Sequence, residues 1–173
     1  MTTTLPAPPP QSLYKAPQNE TALKGLGGWL ILVAIGLIIS PIRIAAIEFT
    51  ILGVFMDGTW SALADSAGEF YSPMLAAIIP LEFVLNMAFI FGFLFLIYLF
   101  FTKSSIFPRW YIAIYAANLA MIILDMVAVK MVLPEEPMLD PETAGELLRS
   151  IGACAIWIPY MLKSKRVAAT FIE

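Results

Sequence analysis

The chain has 173 residues, of which 60% are hydrophobic and 13% are charged, and its formal net charge is −3. Soluble domains carry about 25% charged residues, and here the apolar residues form long uninterrupted blocks, so the composition predicts an integral membrane protein. The chain has no histidine and one cysteine, Cys154, which excludes imidazole metal sites, histidine catalysis and an intramolecular disulfide. The weak negative charge and the absence of a basic stripe argue against a nucleic-acid partner.

The N-terminal segment, residues 1–23, is polar and contains five prolines. It has neither the charged start nor the small-residue cleavage site of a secretory signal. Clustered prolines favour an extended, solvated backbone. We therefore expect a disordered cytoplasmic tail ahead of the membrane domain.

Four segments are long and apolar enough to be predicted as membrane-spanning helices. A hydrocarbon core of about 30 Å requires about 20 helical residues. The spans are expected at about 28–49, 81–101, 110–132 and 143–162. The fourth is the weakest because it contains Glu146 and Arg149, although polar groups are tolerated where they face other helices. The expected fold class is an all-α integral membrane four-helix bundle over residues 24–166.

The charges of the connecting segments predict the orientation of this bundle. Basic residues precede the first span, lie between the second and third, and follow the fourth, whereas the other two loops are acidic. The positive-inside rule makes the basic side cytoplasmic. Both termini, including the short tail 167–173, are thus expected in the cytoplasm of a bacterium, with the chain in the inner membrane. The apolar residues of that tail suggest that it lies on the membrane surface or docks onto a partner.

The two acidic loops carry local signals of their own. Apolar residues recur at helical spacing in residues 56–72 and predict a short amphipathic helix on the outer surface. Pro73 and Pro80 are then expected to break the chain before the second span begins. In the other loop, Asp140 is a predicted N-cap, with Pro141 at the first helical position.

Polar residues inside the spans give the most specific functional signal. At about 1.5 Å per residue, each span places one strongly polar residue at a similar depth in the outer third of the membrane. With neighbouring acids included, the candidate intramembrane polar cluster comprises Arg43, Glu82, Asn86, Asp125, Glu146 and Arg149. A further layer near the outer rim would hold Glu48, Glu82 and Lys130.

An unpaired ion in hydrocarbon is unfavourable by about 2.5 kcal/mol on insertion scales, so these charges are expected to pair. Arg149 with Asp125, and Arg43 with Glu146, are the predicted pairs. Two interpretations remain open. The cluster either fixes the register of the helices, with outer residues such as Glu48 reaching the headgroups, or lines a cavity that holds a ligand, a proton or a side chain of a partner.

A series of motifs that begins with Lys24-Gly25-Leu26-Gly27-Gly28-Trp29-Leu30 and ends with Thr170-Phe171 resembles an uncharacterised bacterial family, the domain of unknown function 2569. The series continues with the segment 37–43 (LIISPIR), and includes Glu82 and Asn86 in the second span. Later motifs are Phe107-Pro108, Trp157-Ile158-Pro159-Tyr160, Ser164-Lys165-Arg166-Val167 and Thr170-Phe171. The resemblance covers about residues 24–172 and implies a four-helix inner-membrane protein, but it carries no activity.

The leading functional hypothesis is a non-enzymatic accessory or interaction subunit of a membrane complex. The small size of the chain and its faces of small residues favour association with lipids, with another membrane protein or with a second copy. The alternative is a small transporter or a ligand- or lipid-binding protein that uses the polar cluster. An enzyme is not expected, because no nucleophile, metal site, cofactor site or phosphate loop accompanies the acids.

Overall fold

The computed structural model describes residues 25–135, 137 and 139–172. The predicted N-terminal tail, residues 1–23, lies outside the described residues. The fold is all-α, 81% helical, with no strand in the described part of the chain. The helices are α1 (Trp29–Met56), α2 (Thr59–Ala64), α3 (Pro73–Phe101), α4 (Phe107–Val132), α5 (Pro141–Lys163) and α6 (Lys165–Thr170).

Three of these helices, α1, α3 and α4, are long and apolar enough to cross a membrane. They are apolar on nearly every face, and many of their large side chains are exposed, as Ile42, Phe91 and Leu124 illustrate. A helix that is apolar all round needs an apolar environment on its outer faces. Both α1, with 28 residues, and α3, with 29, exceed the roughly 20 residues that a bilayer requires.

Helix α5 is nearly as long, with 23 residues. Because it contains charged residues, it is less apolar than the three helices that could cross a membrane. Its start agrees with the prediction from sequence. The Asp140 side chain accepts a hydrogen bond from the backbone N–H of Thr143 at 3.1 Å, and Pro141 occupies the first helical position. A carboxylate there satisfies an N–H that has no partner within the helix.

The four long helices pack in the order α1, α3, α4, α5, each against the next. Small residues permit the closest approaches. Gly92 of α3 leaves room for Ile114, since a Cβ added there would lie 3.3 Å from the Ile114 Cδ1 atom. By contrast, α1 and α5 do not pack along their length. The arrangement therefore leaves one side of the molecule between α1 and α5 less tightly packed.

The buried core is concentrated at one end of the molecule, which we call the closed end. Its residues come from the beginning of α1, the end of α3, the beginning of α4, and the region of α6. Aromatic rings fill its centre: Phe171 stacks on Phe107 with centroids 4.5 Å apart, and Tyr111 stacks on Tyr115 at 4.2 Å. Such ring pairs stabilise the fold by more than the burial of their apolar area alone would.

The two ends of the described chain meet at the closed end. The backbone N–H of Gly25 donates to the Thr170 hydroxyl at 3.2 Å, and that hydroxyl donates back to the Gly25 carbonyl at 3.3 Å. Val167, Thr170 and Phe171 are all buried. The buried residues of the C-terminal tail thus pack into their own chain, where their side chains complete the aromatic core.

The first loop contains the short helix that the periodicity predicts within residues 56–72. This helix, α2, ends at Ala64 and therefore does not include the apolar residues Phe70 and Tyr71. Gly58, at φ 87°, turns the chain out of α1. The Asp57 carboxylate accepts a hydrogen bond from the backbone N–H of Thr59. Hydrogen bonding with the side chain of Thr59, and then with its backbone, holds the pKa of Asp57 below its usual value.

The expected break at Pro73 and Pro80 is wrong, because α3 begins at Pro73 and continues through Pro80. Pro73 stands at the helix start, where a missing N–H costs nothing. Pro80 removes the donor that would bond the carbonyl of Ala76. The indole N–H of Trp60 donates to that same carbonyl at 3.1 Å, so a side chain of α2 replaces the lost hydrogen bond of α3.

This replacement predicts that Trp60 and Pro80 are energetically coupled. Trp60→Phe should lower the free energy of unfolding by about 1 kcal/mol, since it leaves the Ala76 carbonyl without a donor. In a Pro80→Ala background the new N–H at position 80 supplies that donor, and Trp60→Phe should cost clearly less. Thermal unfolding of the four proteins in mild detergent measures the cycle. An equal loss in both backgrounds would show that the indole does not serve the freed carbonyl.

Candidate functional site

The half of the molecule opposite the closed end, which we call the open end, contains a cavity of about 660 Å³ that is open to the exterior. All four long helices contribute to its walls. Its apolar lining includes Ile44, Leu85 and Ile122. Its polar lining consists of Glu82, Asn86, Asn118, Asp125, Asp140, Thr143 and Glu146. This volume lies within the range of small-molecule sites, which combine apolar walls with a few polar groups.

One predicted ion pair is present beside this cavity. Arg43 on α1 lies 3.8 Å from Glu146 on α5, measured from the guanidinium Nη2 to the carboxylate Oε1. The distance is long for an ion pair, and both side chains are partly exposed, at 45% and 36%. The pair therefore contributes modest stability. It nevertheless joins the two helices that do not pack along their length.

The other predicted pair does not form. No ion pair joins Arg149 to Asp125 among the residues that the structure describes, and Arg149 does not line the cavity. Its exposed guanidinium instead lies over Gly145, within 3.3 Å of where a Cβ would stand. Side chains on a helix lean toward its N-terminus, and this lean carries Arg149 along α5 rather than across to α4.

The carboxylates of the cavity outnumber the arginine that pairs with them. Glu82 lies close enough to Asp125, Glu146 and Glu48 for their charges to repel one another, and Asp125 and Glu146 repel as well. The sequence predicted a cluster that neutralises itself, whereas the structure contains an excess of acid. Charges removed from water are unfavourable unless they are compensated, so a proton, a cation or solvent entering from the open side would stabilise this group.

Glu48 differs most from expectation. The sequence predicts that it reaches the headgroups, but it is 4% exposed, and neither of its carboxylate oxygens accepts a hydrogen bond. The Asn86 side chain lies near enough to interact, without completing a hydrogen bond of acceptable geometry. The reason is helical periodicity: Leu37, Pro41 and Glu48 share the buried face of α1. That spacing was a signal by which sequence reasoning could have placed Glu48 inside.

The remaining predicted rim residue, Lys130, donates from its Nζ to the carbonyl of Pro134 at 2.5 Å. Asp140 and Thr143, which the sequence suggested only as a helix cap and a helix start, also line the cavity. Among the described residues, no three Cys, Asp or Glu side chains converge closely enough to hold a metal ion. The acids are dispersed around an apolar volume, an arrangement suited to a ligand larger than a single ion.

The motifs behind the family resemblance fall into two places. Those near Gly25, Phe107 and Thr170 build the closed end, whereas Glu82 and Asn86 lie in the cavity. A family model described as "Protein of unknown function (DUF2569)" matches residues 23–172. No curated protein and no solved structure matches the chain.

The excess of acid makes a prediction about stability. Glu82→Gln should raise the melting temperature of the ligand-free protein by about 2–4 °C, if removing one of several repelling charges contributes about 1 kcal/mol. The matched control is Glu69→Gln, an exposed carboxylate outside the cavity, which should leave the melting temperature unchanged. A marked loss of stability in Glu82→Gln would instead assign Glu82 a structural role.

Proposed function

We propose that the chain, which belongs to the DUF2569 family as the match over residues 23–172 shows, is a non-enzymatic membrane protein. In this proposal it binds a small amphipathic molecule in the open-end cavity. The observation that carries this proposal is the cavity itself, about 660 Å³ with apolar walls and an excess of carboxylates. A purely structural cluster would be expected to pair its charges within the protein.

The proposal includes the membrane topology. We propose that α5 crosses the bilayer with α1, α3 and α4, which places both termini in the cytoplasm of a bacterial cell and the chain in the inner membrane. The packing of α5 along α4 supports a fourth crossing. The basic residues near the closed end support its cytoplasmic position. The cavity would then be open toward the periplasmic half of the membrane.

Filling the cavity tests the proposal. Met121 lines the cavity, and a cysteine introduced there, in a Cys154→Ser background, would report access by its rate of thiol labelling. Three hexyl compounds with different headgroups (hexanol, hexyltrimethylammonium and hexanesulfonate) serve as probes in lipid nanodiscs. We expect at least one of them to slow labelling of Met121→Cys. We expect Ala128→Phe, which places a ring in the cavity, to abolish that protection.

The control for this experiment is Ala46→Phe, the same substitution at an exposed position of α1 outside the cavity. It should leave the protection by the probes intact. Failure of all three probes to protect Met121→Cys at any soluble concentration would contradict the proposed ligand-binding function.

A second candidate, the accessory or interaction subunit, is favoured by one face of α4. Ala113, Ala116, Ala117 and Ala120 are all exposed and lie at helical spacing. Small residues allow close approach of a neighbouring helix in lipid. Ala117→Phe should therefore dissociate a partner or a second copy during purification in mild detergent, whereas Ile123→Phe, at another exposed position of α4, should not. Identical elution and composition of both variants and the unmodified protein would count against this candidate.

A further inference from the structure

The cavity has a charge preference that its residues define. Its walls carry Glu82, Asp125 and Glu146, and the one arginine beside them, Arg43, already pairs with Glu146. An anionic ligand would meet carboxylates on α3, α4 and α5 without a free arginine in the lining. Repulsion between like charges disfavours an anion there and favours a cation.

A second and independent observation concerns Glu48, which lies on the buried face of α1. Glu48 is 4% exposed, and both of its oxygens lack a hydrogen bond. Ile44, one turn before Glu48 on α1, lines the cavity, whereas Glu48 itself does not, and Glu48 interacts electrostatically with Glu82. A buried acceptor without a donor is unfavourable until positive charge or a donor approaches it. Its position therefore adds negative potential to this side of the cavity.

The size and dispersion of the site identify the kind of cation. Within the described residues, no three acids converge as metal ligands would. The carboxylates instead surround a volume whose remaining walls are aliphatic, with Leu85 and Ile122 among them. Such a lining suits a molecule with a bulky or substituted ammonium group and an apolar portion, because both parts find complementary surface.

We propose that the open-end cavity selects an organic cation with an apolar portion, and that Glu82 and Asp125 provide the opposing charges. This inference rests on the proposed ligand-binding function and specifies the class of ligand. The same hydrocarbon tail with a neutral or an anionic headgroup should bind more weakly, since it leaves the carboxylates uncompensated.

The labelling assay at Met121→Cys distinguishes these headgroups. Hexyltrimethylammonium should give half-protection at a concentration lower by about tenfold or more than hexanol, a difference of about 1.4 kcal/mol. Hexanesulfonate should be the weakest of the three. Glu82→Gln should weaken hexyltrimethylammonium by about tenfold and leave hexanol unchanged. Comparing each variant with the unmodified cavity cancels the partitioning of every probe into lipid.

Asp125→Asn provides a second variant in case Glu82→Gln folds poorly, and Glu69→Gln is again the matched control outside the cavity. If hexanol protects as well as hexyltrimethylammonium, or if both variants affect the two probes equally, the cation preference is overturned while ligand binding stands. If no probe protects, the proposed function itself fails.

Discussion

The molecule depends on a difference in packing between its two ends. At the closed end, side chains from α1, α3, α4 and the α6 region bury one another, with aromatic rings at the centre. The hydrogen bonds between Gly25 and Thr170 hold the N- and C-terminal parts of the described chain together there. At the open end, the space between α1, α3, α4 and α5 is a cavity. The closed end therefore has to provide the rigidity that permits the other end to remain unfilled.

Charge explains why the open end does not close in the same way. Packing the helices together there would bring Glu82, Asp125 and Glu146 still closer to one another, although their charges already repel, and Arg43 pairs with Glu146. In a medium of low polarity such repulsion is costly. The partial exposure of the Arg43–Glu146 pair is consistent with a region that solvent or a ligand can reach. The unfavourable charge and the unfilled volume are thus two aspects of one arrangement.

Much of the fold could be predicted from sequence because membrane solvation leaves simple signals. Hydrophobic length located α1, α3 and α4, and cap chemistry located the start of α5 at Asp140. The continuation of α3 through Pro80 could not be predicted, since it depends on Trp60, a residue from another helix that supplies a donor. Local rules describe what proline removes from a helix, but they do not describe which tertiary contact replaces it.

The difference between what local rules predict and what tertiary contacts decide also applies to the site. Depth along each span grouped Arg43, Asn86 and Asp125 at one level, because rise per residue is a property of any helix. The direction in which a long side chain extends does not follow from the rise per residue. Arg149 has the right depth, but it extends along α5 and does not line the cavity. The predicted cluster already has one more acid than arginine, and the structure increases that excess by removing Arg149.

The closed end also bears on whether the cavity binds or transports. A ligand that crossed the protein from the cavity would have to pass Tyr111, Phe107 and Phe171, whose rings are buried and in contact with one another. Opening that region would separate ring pairs and break the Gly25–Thr170 hydrogen bonds at the same time. Alternating access is generally achieved by rocking repeated bundles around a central site, whereas the part of the chain that the structure describes contains one set of four long helices. On the proposed ligand-binding function, a site with one opening agrees better with this packing than a path through the closed end does.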